Sequence, residues 1–344
     1  MRNAEGSREE VEMKRGNIRR WLLRGCLALM FGAGLVGTLG GAPAKADDKQ
    51  LTIMFLGNST AEPFWQRIIK GFNDAGKDLG FNAVYRAPGP KGFATANDYE
   101  LYIQNAIAAK PDGLIIADTR PEAVNGTIKQ AVDAGIPVVL SNAGFGEQKN
   151  VGALAFVGLD ETNNGFVGGQ LLKNTGAKHA LVVTLAPGIP LVDQRTAGFI
   201  DGFKPGIVTK LEVPLETLTD TPKFVNAASA ALQKDPTIDS AFSIGSCCSP
   251  AMLIARDQLG DRANSMHFGT IDLGDPALQA IADHKLDFGL DQQQYMQGYL
   301  PALILVKYIT YGITPGTDFI ATGPGVITAD NAAKIIALSA QTVR

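Results

Sequence analysis

Four polar side chains stand where short apolar runs end: Asp118 after "GLIIA", Asp272 after "HFGTI", Asn142 after "VVLS" and Asn58 after "IMFLG". A desolvated carboxylate accepts strongly from hydroxyl donors, and an amide offers both a donor and an acceptor. Near them in kind, Phe64 and Trp65 lie side by side directly behind Pro63 in "AEPFWQRIIKG". Phe64 opens an apolar stripe continued by Ile68, Phe72, Ala75 and Leu79, so a core role competes there with ligand contact, whereas Trp65 lies off that stripe. Asp118 has a structural alternative of its own, the N-cap of the helix that follows it. Reactive chemistry is poorly provided for. None of the three histidines, His179, His267 and His284, sits in a GxSxG, HExxH or CxxC-type setting. Asp118 and Asp272 can imitate a glycosidase's carboxylate pair, and that is the one enzymatic reading left. Cys247 and Cys248 are adjacent in "GSCCSP", where a disulfide would close only a strained ring; free thiols are expected, and no metal site, since further ligands are missing nearby.

These residues need a frame, and the order of apolar runs supplies one. "LTIMFLG", "FNAVYR", "GLIIA", "IPVVLS", "LAFVG", "HALVVTLA", "SAFSIG", "MHFGTI" and "LDFGLD" alternate with helix-length segments. Several runs are continuously apolar, as strands buried on both faces of a parallel sheet are. Glycine closes helices in "DLGFNAV" and "DAGIPVV", and Pro63 opens one. In such an α/β chain the strand ends that carry Asp118, Asn142 and Asp272 are the ends at which ligands bind. The most loop-like internal stretch is Glu212 to Pro222.

The first 46 residues are set apart as an export signal: a basic cluster (Lys14, Arg15, Arg19, Arg20, Arg24), a charge-free stretch, and "AKA" as a cleavage site after Ala46. Removing them takes eight of 31 Lys/Arg and four of 34 Asp/Glu, leaving 23 against 30, a net charge of about −7. That balance disfavours nucleic acid as a partner. No later stretch reaches the roughly 18 apolar residues of a membrane helix, and nearly 300 residues exceed one comfortable core, so two exported domains are expected.

Taken in order, "EPFWQRIIKGFNDAGKDLGFNAV", "KPDGLIIADTRPEAV", "AVDAGIPVVLSNAG", "VGLDETNNG", "DQRTAGF", "FGTIDLGDPAL" and "DQQQYMQGYLPA" resemble a ribose-binding-protein-like periplasmic solute-binding protein, the type I fold serving sugar ABC transporters. The resemblance implies two doubly wound parallel-sheet α/β domains joined by three crossings near Asp160, Gln292 and Gly323. Residues 50–159 plus 293–322 would form the N-terminal domain and 160–292 plus 323–344 the C-terminal one. It implies that Phe64 and Trp65 meet the apolar face of a sugar ring, to which an aromatic face is suited. Asp118, Asn142, Arg195, Asp272 and Gln292 would read hydroxyls, with Asn58 a weaker candidate; Arg195 would offer a guanidinium fork to two adjacent hydroxyls, its alternative being a surface ion pair. Gln293 and Gln294 leave the register of Gln292 open. Gly245 and Ser246 stand where ribose binders place an Asn-Asp pair, and Asn142 stands where an aspartate is usual, so the ligand widens to neutral sugars and polyols. The expected partners are that small molecule and the membrane permease of an ABC transporter, with the protein a monomer, without cofactor and not an enzyme. A sugar-sensing role before a chemoreceptor or sensor kinase is the alternative, and an exported carbohydrate-active enzyme the remoter one. A repressor of the same fold would need a helix-turn-helix where the export signal stands.

Overall fold

The computed structural model describes residues 50–88, 96–185, 188–214, 220–245, 248–339 and 341. The stretch read as an export signal, Ser246, Cys247 and residues 215–219 of the loop-like stretch lie outside them. From the amino end the chain forms β1 (Thr52–Leu56), α1 (Pro63–Leu79), β2 (Asn82–Arg86), α2 (Ala96–Ala108), β3 (Gly113–Ile116), α3 (Pro121–Asp133), β4 (Val138–Ser141), α4 (Gln148–Val151) and β5 (Phe156–Gly158). It then forms α5 (Glu161–Asn174), β6 (His179–Leu185), α6 (Pro190–Phe203), β7 (Ile207–Val213), α7 (Thr221–Lys234), β8 (Ser240–Ser243), α8 (Ser249–Asp257), β9 (His267–Ile271), α9 (Asp275–Ala282) and β10 (Phe288–Asp291). The last elements are α10 (Gln294–Tyr311), β11 (Phe319–Ala321), β12 (Gly325–Ile327) and α11 (Ala329–Ser339).

Two six-stranded sheets result, ordered β11-β5-β4-β3-β1-β2 and β12-β10-β9-β8-β6-β7. The orders correspond strand for strand, so β4 of the first sheet matches β9 of the second. The chain passes between the sheets after β5, after β10, and again between β11 and β12. All pairings are parallel except β10 with β12, which is antiparallel. That exception to the all-parallel expectation follows from the third crossing: three residues separate β11 from β12, and a parallel return needs a longer crossover.

The nine apolar runs are nine of the strands, and β3, β4, β8 and β10 are buried at every position. The strands without such a run are β7, β11 and β12. Lys210 and Glu212 alternate with apolar residues along β7, an edge strand solvated on one side. The stretch read as a loop from Glu212 thus begins as the end of a strand, and α7 has already started by Thr221. Gly80 and Gly135 adopt left-handed conformations (φ 75° and 84°) where α1 and α3 give way to the next strands.

Each lobe contains one very close helix pair made possible by glycine. In the first, a Cβ on Gly298 of α10 would collide with the Ile68 carbonyl of α1, and one on Gly71 with the Tyr295 carbonyl. In the second, Gly165 of α5 faces the Arg195 carbonyl and Gly198 of α6 the Thr162 carbonyl in the same manner. Backbone-to-backbone contact locks α10 to α1 and α6 to α5, and with them the two crossings that lead into α5 and α10.

Candidate functional site

The carboxyl ends of both sheets converge on a cavity of about 350 Å³. Asp118, Asn142 and Phe145 line it from the first lobe, and Glu161, Pro190 and Gln194 from the second.

Asp118 follows β3 and is 1% exposed. It does not cap α3, whose N-cap is Arg120. Neither carboxylate oxygen has a hydrogen-bond donor in bonding geometry. Burial, with Glu147 and Glu122 nearby, pushes its pKa up to about 7, and the Arg120 amide offsets only part of this.

Asn142 and Asp272 follow the corresponding strands β4 and β9, and both are left-handed, with φ of 69° and 71°. Asn and Asp tolerate that region better than other side-chain-bearing residues. The turn ends each strand and sends the side chain off its edge. Asp272 Oδ1 accepts from Gln292 Nε2 at 2.5 Å, while Gln292 Oε1 is buried without a partner. It is Gln292, rather than Gln293 or Gln294, that meets Asp272. Asn58 is buried at the end of β1.

Arg195 is neither a surface ion pair nor an open fork. Nε and Nη2 donate to the two oxygens of Glu161 at 2.6 and 2.8 Å, and Nη1 donates to the Ile244 carbonyl at 3.0 Å. Glu161 therefore takes the bidentate face that the sequence reading offers to a ligand. Both groups are buried.

Phe64 and Trp65 both belong to the first lobe's core, packed edge to face with ring centroids 5.7 Å apart. Trp65 is buried even though it lies off the apolar stripe, and neither ring lines the cavity. Sequence spacing along α1 does not register the neighbours that close over its first turn.

Three residues belong to this region that sequence reasoning passed over. Glu161, just after the N-cap Asp160, reads as a helix-dipole residue until α6 brings Arg195 against it. Glu62 precedes Pro63 in a turn shaped by Ser59 Oγ, which accepts from the Ala61 and Glu62 amides at 3.2 and 3.1 Å. Burial, and to a lesser extent the charge of Asp272, push Glu62 up to about 7. Gln297 is fully buried beneath the site. The proline run-up and the glutamine-rich "DQQQYMQG" were the only signals for the last two. Among the described residues no group of three His, Cys, Asp or Glu is placed to hold a metal ion. Cys248 is buried.

Two wound lobes flanking a cavity lined by Asp118 and Asn142 from one and by Glu161 and Gln194 from the other define a cleft-type binding protein. A family model for the periplasmic binding protein domain matches residues 53–313, and the chain belongs to that family. The xylose/arabinose-binding protein XylF of Sulfolobus acidocaldarius is 26% identical over 294 residues, covering 81% of this chain and 71% of that one. The ribose import binding protein RbsB of Bacillus subtilis is 26% identical over 260 residues, covering 74% and 81%. Among solved structures, a carbohydrate transporter from Acidothermus cellulolyticus 11B in complex with myo-inositol is 32% identical, with a TM-score of 0.78, covering 86% of this chain and all of that one.

Proposed function

We propose that this protein captures a neutral sugar or polyol in the cleft between its lobes and delivers it to the permease of an ABC transporter, without altering it chemically. The observation that carries the reading is Asp118: a buried carboxylate at the cavity wall whose two oxygens await donors. A hydroxyl ligand supplies such donors, and an anionic one does not. On this reading Asp272 and the unpartnered Oε1 of Gln292 are further acceptors, buried outside the lining of the cavity. Kinship with binding proteins for xylose, arabinose and ribose, and with one that holds myo-inositol, supports the ligand class. On this reading residues 50–159 plus 293–322 form one lobe and 160–292 plus 323–344 the other, and residues 1–46 are an export signal removed after Ala46.

A thermal-shift screen of residues 47–344, unfolded and refolded to strip retained ligand, tests it against pentoses, hexoses, myo-inositol and acyclic polyols. Ligand at a hundredfold its Kd adds about 2.7 kcal/mol of stability. Asp272→Ala should then weaken the hit by about 2–5 kcal/mol, as loss of one partner of a buried charged hydrogen bond does. Silence across the panel, or unchanged affinity in the variant, would sink the reading.

A further inference from the structure

Beneath the cleft, one glutamine joins the first lobe to two of the three crossings. Gln297 Nε2 donates to the Gln292 carbonyl at 3.0 Å and to Thr322 Oγ1 at 3.1 Å. A carbonyl can only accept, so the nitrogen end of this amide is assigned by its neighbour. Gln297 Oε1 must then occupy the opposite side, where it accepts from Asn142 Nδ2 at 3.0 Å. The orientation passes on: Asn142 lines the cavity, and with its nitrogen engaged on Gln297 the carboxamide oxygen is by elimination the end left to a ligand.

The backbone of Gln297 is held as firmly. Pro301 stands four residues on in the same helix and has no N–H, so the Gln297 carbonyl lacks its helical donor. Ser141 Oγ, from the end of β4, donates to it at 2.8 Å. Side chain and backbone together tie Gln297 to Ser141 and Asn142 on one side and to Gln292 and Thr322 on the other.

We propose that Gln297 is a positioning residue that sets the hydrogen-bond polarity of the cleft: by holding the Asn142 nitrogen, it makes that position an acceptor that selects a ligand hydroxyl able to donate. The selection rests on the sugar or polyol reading above; the orientation of Asn142 does not. Gln292 follows the same logic independently, since its nitrogen is spent on Asp272 and its oxygen is left over. Asp118 also offers only acceptors when ionised. At Asn142 and at ionised Asp118, both of which line the cavity, the ligand is thus read by the protons it gives.

Two arms test this, using Gln297→Met and Gln297→Glu in the mature protein. Hydrogen exchange of the Asn142 side-chain amide, assigned by its loss in Asn142→Asp, needs no ligand. Gln297→Met fills similar space without an acceptor and should speed that exchange at least tenfold, whereas Gln297→Glu keeps the accepting oxygen and should retain protection. Equal exchange in the wild type and Gln297→Met overturns the proposal. The second arm titrates myo-inositol and its singly deoxyfluorinated analogues, in which fluorine cannot donate. Wild type should reject one analogue at least tenfold more strongly than Gln297→Met does; equal discrimination in both proteins overturns the selection. If wild type does not bind myo-inositol, the sugar or polyol that the thermal-shift panel identifies and its deoxyfluorinated analogues take its place; silence across that panel counts against the ligand reading, and the exchange arm alone then decides the role of Gln297.

Discussion

The two walls of the cleft are built from corresponding strands yet settle their charges in opposite ways. On the second lobe, Arg195 and Glu161 satisfy each other in a bidentate pair, and Arg195 also donates to Ile244. On the first, Asp118 is as deeply buried and its carboxylate has no such partner. One wall is complete in itself, and on the proposed reading the other is completed by the ligand. A buried charge without a partner is costly in an unliganded fold, and sites that retain one tend to be functional. On the proposed reading the contrast gives the arginine a structural duty and the aspartate a ligand duty, which composition alone weighs alike.

The contrast can be broken most severely at Glu161. Glu161→Gln leaves the Arg195 guanidinium buried beside a neutral group, and a loss of about 3–5 kcal/mol in stability is expected, read as a fall in Tm. A Tm unchanged within a degree would mean that the pair is not the structural unit described.

Asp118→Asn should act the other way: ligand affinity falls by about 1.5–3 kcal/mol, the worth of a hydrogen bond to a charged group, while the unliganded protein is no less stable above pH 7. Calorimetric titration and a melting curve on the same preparation check both halves. A stability loss equal to that of Glu161→Gln would erase the distinction between the walls.

Sharper still is the pH dependence. The Asp118 carboxyl has a folded pKa of about 7, above its free value near 3.8, so between those limits the native state holds a proton that the unfolded chain has released. The stability associated with that proton is present at low pH and is lost as pH rises through about 4 to 7. Glu62, raised to about 7 as well, adds to the same window. Wild type should therefore lose stability relative to Asp118→Asn as pH is raised from 4 to 7, and a parallel course of the two curves would contradict the assignment. A ligand that donates to Asp118 favours its ionised form, so binding at pH 7 should release protons, seen as a buffer-dependent enthalpy.

The smallest effect is expected where the lobes touch at the surface. Arg67 of α1 approaches Asp275 of α9 at 3.8 Å, but the Asp275 side chain is 80% exposed. Asp275→Asn should change ligand affinity by less than about 1 kcal/mol. A larger change would make this pair, and not the buried walls, a main determinant of closure.

How far the sequence reaches differs between the frame and the site. Runs such as "GLIIA" and "VVLS" read as strands because both of their faces are buried, and Gly80 and Gly135 mark helix ends because a left-handed turn suits glycine. β7 escapes this reading because one side of an edge strand is solvated, and β11 and β12 because three residues carry no period. Within the site, Asp118, Asn142 and Asp272 are conspicuous because a polar residue directly follows an apolar strand. Glu161 and Gln297 are not, since each gains its role from a partner distant in sequence: Arg195 lies 34 residues from Glu161, and Asn142 lies 155 from Gln297. Nor does the spacing of α1 show that Trp65 packs beside Phe64 in the core.

By itself, then, the sequence determined the wound α/β architecture, the strand ends on which polar groups sit and the apolar content of each core, because these depend on local periodicity and on which faces must leave water. Only the tertiary structure decided which groups are already satisfied and which remain open to a ligand. Partnering depends on distances of a few ångströms between distant segments, here set by glycine-mediated helix contacts and by the crossings that carry Gln292 and Thr322 to Gln297.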